Sequence, residues 1–302
     1  MCSILTGALV AEFALHPPRR QLTSADEALV RHGARLHNYE LTEVSTRASD
    51  GEVLRAWYIR PHQGGNDAVM LLHGVSDNRL GMGSYAALLL AHGYGVLMPD
   101  ARANGASGGG LATYGLLERD DIHRWFEWLS TTDHPHCIFG FGESMGAAQI
   151  LQALQAEPRF CAVAAESPFS SFREIAYDRM SQPFHAGPWI GRTLLRPVVE
   201  TAFLYARWKY KLDMEQVSPE KVVAASAVPI FLIHGRDDRN IPVRHSERIH
   251  SRNVNVALWE VPKADHCGAI SAAPQEFEKR LVGWFESYSA DRQLPALHSG
   301  IE

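Results

Sequence analysis

The chain has 302 residues, 29 Lys and Arg against 34 Asp and Glu for a net charge of −5, and 46% hydrophobic residues. This is a globular profile, long enough for one large core with an insertion. The basic residues are interspersed with acidic ones, and no Lys/Arg block could gather phosphates along one face, which argues against a nucleic-acid partner. The four cysteines, Cys2, Cys137, Cys161 and Cys267, are too widely spread for a zinc knuckle or a disulfide-dense scaffold, so free thiols are expected.

An apolar run at 4–11 is interrupted at Glu12 and followed by Pro17, Pro18, Arg19 and Arg20. It is too short to cross a bilayer, and no basic residues precede it. The expectation for 1–38 is a helical extension packed on the body of a cytoplasmic protein. The alternative is the remnant of an anchor or leader, with a membrane-anchored or exported form. Membrane association would then run through this segment alone.

Runs at 39–46 and 53–60 flank Ser49, Asp50 and Gly51, which predicts an antiparallel hairpin. The runs at 68–72, 94–98, 137–141, 160–165, 227–233 and 254–261 are short and nearly all apolar, as interior parallel strands covered on both faces would be. Helical segments lie between several of them. In 118–130, for example, Ile122, Trp125, Phe126 and Leu129 recur at helical spacing. The fold class is therefore α/β, a mixed sheet with the hairpin at one edge and right-handed crossovers elsewhere.

The interval 171–218 is too long for an ordinary crossover and predicts a helical cap insertion. Within it Leu194, Val198, Tyr205, Trp208 and Leu212 fall near one helical face, with Leu195, Val199 and Phe203 on an adjacent one. The aromatics, with Tyr177, Phe184 and Trp189 added, either line an apolar acyl groove or seal the cap onto the core. A last helix starts near Pro274, a residue suited to a first turn, and buries Phe277, Leu281, Trp284, Phe285 and Tyr288. The core is thus expected at 39–170 and 219–295, with a tail at 296–302.

The sharpest motif is Gly142-Glu143-Ser144-Met145-Gly146, directly after an apolar run. A serine on a tight elbow between strand and helix is lifted clear of the sheet, and the glycines let the helix approach closely. A serine hydroxyl needs a base, and that base needs a carboxylate to orient it. Asp238, past the end of the 227–233 run, is the candidate acid, with Asp237 the neighbour it could be mistaken for. His266, past the 254–261 run, is the candidate base, giving the chain order Ser, Asp, His. Backbone amides for a developing oxyanion are expected from Met145, at the helix start, and from Val75, after the turn at Gly74. His73 is read as shaping that turn.

The glycines at 105 and 108–110 form neither a P-loop nor a dinucleotide fingerprint. No cofactor is expected, and no metal on His234, Asp237 and Asp238.

LLHG at 71–74, PDARANGASGG at 99–109, YGLLERDD at 114–121, GFGES at 140–144, IHGRDDRNIP at 233–242 and ADHCG at 264–268 together resemble the α/β-hydrolase superfamily. Within it they are similar to the bacterial serine hydrolases and esterases related to the BEM46-like and prolyl-oligopeptidase-like groups. The resemblance spans about 39–290 and is weak for substrate. It implies an eight-stranded, mostly parallel sheet with helices on both faces, and Ser144, Asp238 and His266 as nucleophile, acid and base. Relatives often carry Arg-Gly-His-Gly where this chain has Arg102-Ala103-Asn104-Gly105, a difference in loop shape.

The expected activity is carboxylic ester hydrolysis through an acyl-enzyme, on a small-molecule ester. The alternatives are a prolyl-oligopeptidase-like peptidase or amidase, an acyl thioesterase, and a hydrolase-fold binding protein. Oligomeric state is not readable from the chain.

Overall fold

The computed structural model describes residues 2–184 and 187–289; the expected tail at 296–302 lies outside them. Two helices, α1 (Cys2–Leu15) and α2 (Ser24–Leu36), precede the sheet. Thr23 caps α2 through a reciprocal bond with Asp26, the side-chain pairing that satisfies the first free amides of a helix.

Strands β1 (Tyr39–Arg47) and β2 (Val53–Pro61) form the predicted hairpin, in register from Tyr39 opposite Pro61 to Arg47 opposite Val53. Its turn closes with Gly51 at φ +89°, a conformation glycine adopts without a Cβ penalty. The chain continues through β3 (Ala68–Leu72), α3 (Gly83–Ala91) and β4 (Gly95–Pro99), then α4 (Glu118–Thr132), β5 (Ile138–Glu143), α5 (Met145–Ala153) and β6 (Val163–Glu166). Between β6 and the next strand lie α6 (Phe172–Ser181), α7 (Trp189–Arg192), α8 (Arg196–Tyr210) and α9 (Pro219–Ala224). The chain then runs β7 (Ile230–Gly235), α10 (Arg244–His250), β8 (Val256–Val261), α11 (Ala269–Ala272) and α12 (Pro274–Ser287).

The eight strands form one sheet in the order β1-β2-β4-β3-β5-β6-β7-β8. β2 runs antiparallel to β1 and β4; the pairs from β4 through β8 are parallel. The short apolar runs pack on both sides because successive side chains of a strand point to opposite faces. In β3, Ala68, Met70 and Leu72 join the layer under α4 and α5, with Trp125, Leu129 and Ile150. Val69 and Leu71 join the other layer, with Leu89, Phe277 and Phe285 from α3 and α12.

A third cluster sits under the helices between β6 and β7, where Phe169, Ile175, Val199 and Phe203 meet Leu15 of α1. The covered face of α8 is Val198, Val199, Ala202, Phe203 and Ala206. Leu194 and Trp208, read as sharing a helical face with Val198, are 72% and 71% exposed: Leu194 precedes α8, and Trp208 lies outside the covered face of that helix.

The expectation of free thiols is corrected at one pair. Cys137, just before β5, and Cys161, before β6, form a disulfide with their Cα atoms 5.7 Å apart, while Cys267 is free. Adjacent parallel strands bring together two residues 24 apart in sequence, which spacing alone does not reveal.

Candidate active site

β5 ends at Glu143 and α5 begins at Met145, so Ser144 alone makes the turn, at φ +52°. That backbone conformation is sparsely populated for a residue with a Cβ and persists only where the surroundings enforce it. Here the Ser144 amide donates to the Glu166 carbonyl at 2.8 Å. The flanking glycines are required sterically: a Cβ on Gly146 would run into the Leu72 carbonyl, and one on Gly142 into the Gly146 carbonyl.

Asp238 follows β7 and His266 follows β8, so both lie past the carboxyl ends of parallel strands, beside the elbow. His266 Nε2 is 2.9 Å from Ser144 Oγ and His266 Nδ1 is 2.8 Å from Asp238 Oδ2. The other Asp238 oxygen accepts the amides of Asn240 and Ile241, each at 2.8 Å. Asp237 is exposed, and the residue that meets His266 is Asp238. Burial opposes ionisation of Asp238, but hydrogen bonding to His234 and His266 and from the Ile241 amide outweighs it and holds the carboxyl well below its usual range.

Val75 and Met145 border the cavity that reaches Ser144. Among the described residues neither backbone amide donates to a protein acceptor. His73 is buried behind them: its Nε2 accepts the Ala101 amide at 3.1 Å, so its Nδ1 carries the proton donated to the Gly74 carbonyl at 2.7 Å. Burial lowers its pKa, in keeping with a neutral ring that fastens the turn before Val75.

Residues 69–280 match the Alpha/beta hydrolase family. This chain belongs to that family. The hydrolase is 32% identical over 241 residues to the uncharacterized protein YqkD of Bacillus subtilis, covering 78% of this chain and 76% of that one. Its fold is similar to the esterase Pf2001 of Pyrococcus furiosus, with a TM-score of 0.71 and 25% identity over 91% of this chain and all of the other. It also resembles the acylaminoacyl peptidase of Pyrococcus horikoshii in fold, with a TM-score of 0.61 and 18% identity, covering 87% of this chain and 43% of that one.

Directly behind the elbow lies a group of acids that the motifs did not single out. The Tyr85 hydroxyl stands 3.2 Å from a Glu143 oxygen and 3.0 Å from a Glu166 oxygen, and the Ala269 amide donates to Glu166 at 2.9 Å. Burial raises the pKa of both acids, that of Glu166 to about 7. The available signal was a glutamate ending each of two apolar strands, β5 and β6.

The cavity over Ser144 has a volume of about 650 Å³ and an apolar wall that includes Phe169, Phe172, Met180 and Phe203. Arg179 is its sole charged lining residue among those described. Of the aromatics that the sequence reading offered as either groove lining or seal, Phe203 lines the cavity while Tyr177, Phe184, Trp189, Tyr205 and Trp208 do not, and the wall formed by Leu9 and Phe13 of α1 was not foreseen.

Of His234, Asp237 and Asp238, His234 is 2.7 Å from both Ser246 Oγ and the Ile241 carbonyl, Asp238 meets His266, and Asp237 is exposed. One group of metal-ligand type occurs among the described residues, His123, Glu127 and Glu157, past the far end of α5 from Ser144. Arg159 already donates to both carboxylates there. Among the described residues no helix is long and apolar enough to cross a membrane.

Proposed function

We propose that the protein is a serine carboxylesterase in which Ser144 is the nucleophile, His266 the general base and Asp238 the group that orients and charges the imidazole. The observation that carries this reading is the continuous hydrogen-bonded chain from Ser144 Oγ through His266 to Asp238, at 2.9 and 2.8 Å.

Ser144 Oγ attacks the ester carbonyl carbon as His266 Nε2 takes its proton. The carbonyl oxygen becomes an oxyanion facing the amides of Val75 and Met145, and the ionised Asp238 stabilises the imidazolium. Collapse breaks the bond to the alkoxy oxygen, which receives the proton from His266 and leaves as the alcohol. Water, deprotonated by His266, then attacks the acyl-Ser144 carbonyl; the proton returns to Ser144 as the acid departs. No step calls for a cofactor.

An apolar cavity favours an acyl chain, and an ester over a peptide agrees with a wall whose one charged residue among those described is Arg179, with no carboxylate among them to receive a peptide amine. The likeness to an esterase at 25% identity supports the same choice. The BEM46-like kinship suggested by the motifs belongs with this reading.

The test is labelling of Ser144 by a fluorophosphonate, together with initial rates on p-nitrophenyl esters from acetate to palmitate. Label confined to Ser144 and serine-dependent turnover are expected. Labelling without ester turnover, with release of arylamine from aminoacyl arylamides, would replace the esterase reading by an amidase one.

A further inference from the structure

Helix α1 is apolar nearly all round, yet it is firmly held. Gly7 lies so close to α8 that a Cβ there would meet the Thr201 Cβ at 2.6 Å, and Ala11 and Leu15, on the same stripe, are buried. Glu12 accepts from Lys209 at 2.7 Å and from Tyr210 at 2.8 Å. The Tyr114 hydroxyl donates to the Ala14 carbonyl at 2.7 Å, and the Ala112 amide to the Leu15 carbonyl at 3.0 Å.

The opposite stripe has no such cover. Leu5, Leu9 and Phe13 are 70%, 64% and 76% exposed, and Ile4 beside them 65%. On α8, Leu204 and Trp208 stand out at 65% and 71%, three residues on from the Thr201 and Tyr205 positions that meet α1.

Charge names what this face suits. The whole chain is net −5, but from 189 to 211 it carries Arg192, Arg196, Arg207, Lys209 and Lys211 against the single acid Glu200. Arg192, Arg196 and Lys209 have carboxylate partners; among the described residues Arg207 and Lys211 have none within ion-pair distance. Exposed apolar side chains flanked by unpaired cations, with a tryptophan among them, complement an anionic lipid surface. A second copy of the same face would set cation against cation.

We propose that the α1 and α8 face docks on an anionic bilayer, with α1 lying in the plane of the interface. The 14 residues of α1 rise about 21 Å and are fixed along α8 through Gly7, Ala11 and Leu15, so this length of helix lies along the interface. Leu9 and Phe13 belong both to this face and to the cavity wall, so docking brings the cavity mouth against the lipid.

The test is co-sedimentation of the full chain with phosphatidylcholine vesicles and with vesicles containing 30% phosphatidylglycerol, at low and high salt. Binding to the anionic vesicles, weakened by salt, is expected. Arg207→Gln with Lys211→Gln should weaken partition about fivefold for each charge removed. Leu5→Ser, Leu204→Ser and Trp208→Ser together should abolish it. None of these five residues lines the cavity, so turnover of a short soluble ester should be unchanged in both variants. Equal binding to neutral and anionic vesicles, or none to either, overturns the proposal. So does a dimer seen by light scattering that the triple variant dissolves while no vesicle binds. The readout is binding, not turnover, so it stands or falls apart from the esterase reading.

Discussion

Asp238 and Glu166 are both buried carboxylates near the ends of neighbouring strands, yet their environments push them in opposite directions. Asp238 has His266, His234 and two backbone amides around its oxygens and is held ionised. Glu166 has one amide and a phenol shared with Glu143, a second acid, and its pKa rises to about 7. Burial is common to both; the supply of donors and the sign of the neighbouring charge decide which ionises. The first arrangement suits proton transfer at Ser144. The second braces the elbow from behind, since the Glu166 carbonyl holds the Ser144 amide and its carboxyl holds the start of α11 after His266.

Four experiments would break or sharpen this contrast. Ser144→Ala should lower kcat on p-nitrophenyl esters by about a millionfold with the fold intact, the scale seen when a triad nucleophile is removed. Asp238→Asn should keep the geometry but favour the wrong tautomer of His266, lowering kcat by about ten-thousandfold in the same assay. A comparable loss from Glu166→Gln would erase the distinction between the two acids.

The third experiment reads stability against pH by urea unfolding. The folded pKa of Glu166 lies above its ordinary value of 4.5, so the native state holds more protons than the unfolded chain between pH 4.5 and about 7. Its contribution is therefore full below pH 4.5 and lost as pH rises through 7, about 3 kcal/mol in all, and Glu166→Gln should remove that slope. Asp238 carries the opposite sign: its contribution is present above its ordinary value of 3.8 and lost as pH falls below it, so Asp238→Asn should flatten the acid limb instead. The smallest effect is expected from Tyr85→Phe. It should cost about 1 kcal/mol through the lost hydrogen bond and extend the Glu166 slope to higher pH, measured in the same titration.

Much of the site was legible because its residues are local signals. Ser144 lies in a five-residue motif, and Asp238 and His266 each follow a run read as a parallel strand, although the second of these, β8, stands at the edge of the sheet and is only partly buried. The acids behind the elbow were not, because a glutamate at the end of a strand reads the same whether it meets solvent, a cation or another acid. Strand ends slipped for a related reason. The run 160–165 became a strand only from Val163, while Phe160 packs edge-on against Phe126 of α4.

The sequence by itself determined the layered sheet, through short apolar runs, and the tight elbow at Ser144, through flanking glycines that leave room for the close approach of α5. The tertiary structure alone decided the Cys137–Cys161 bond, the shared phenol between Glu143 and Glu166, and the side of α1 that closes the cavity. A helix apolar nearly all round carries little periodicity to orient it, so its facing is set by its contacts: Gly7 against Thr201 and Glu12 with Lys209 and Tyr210 on α8.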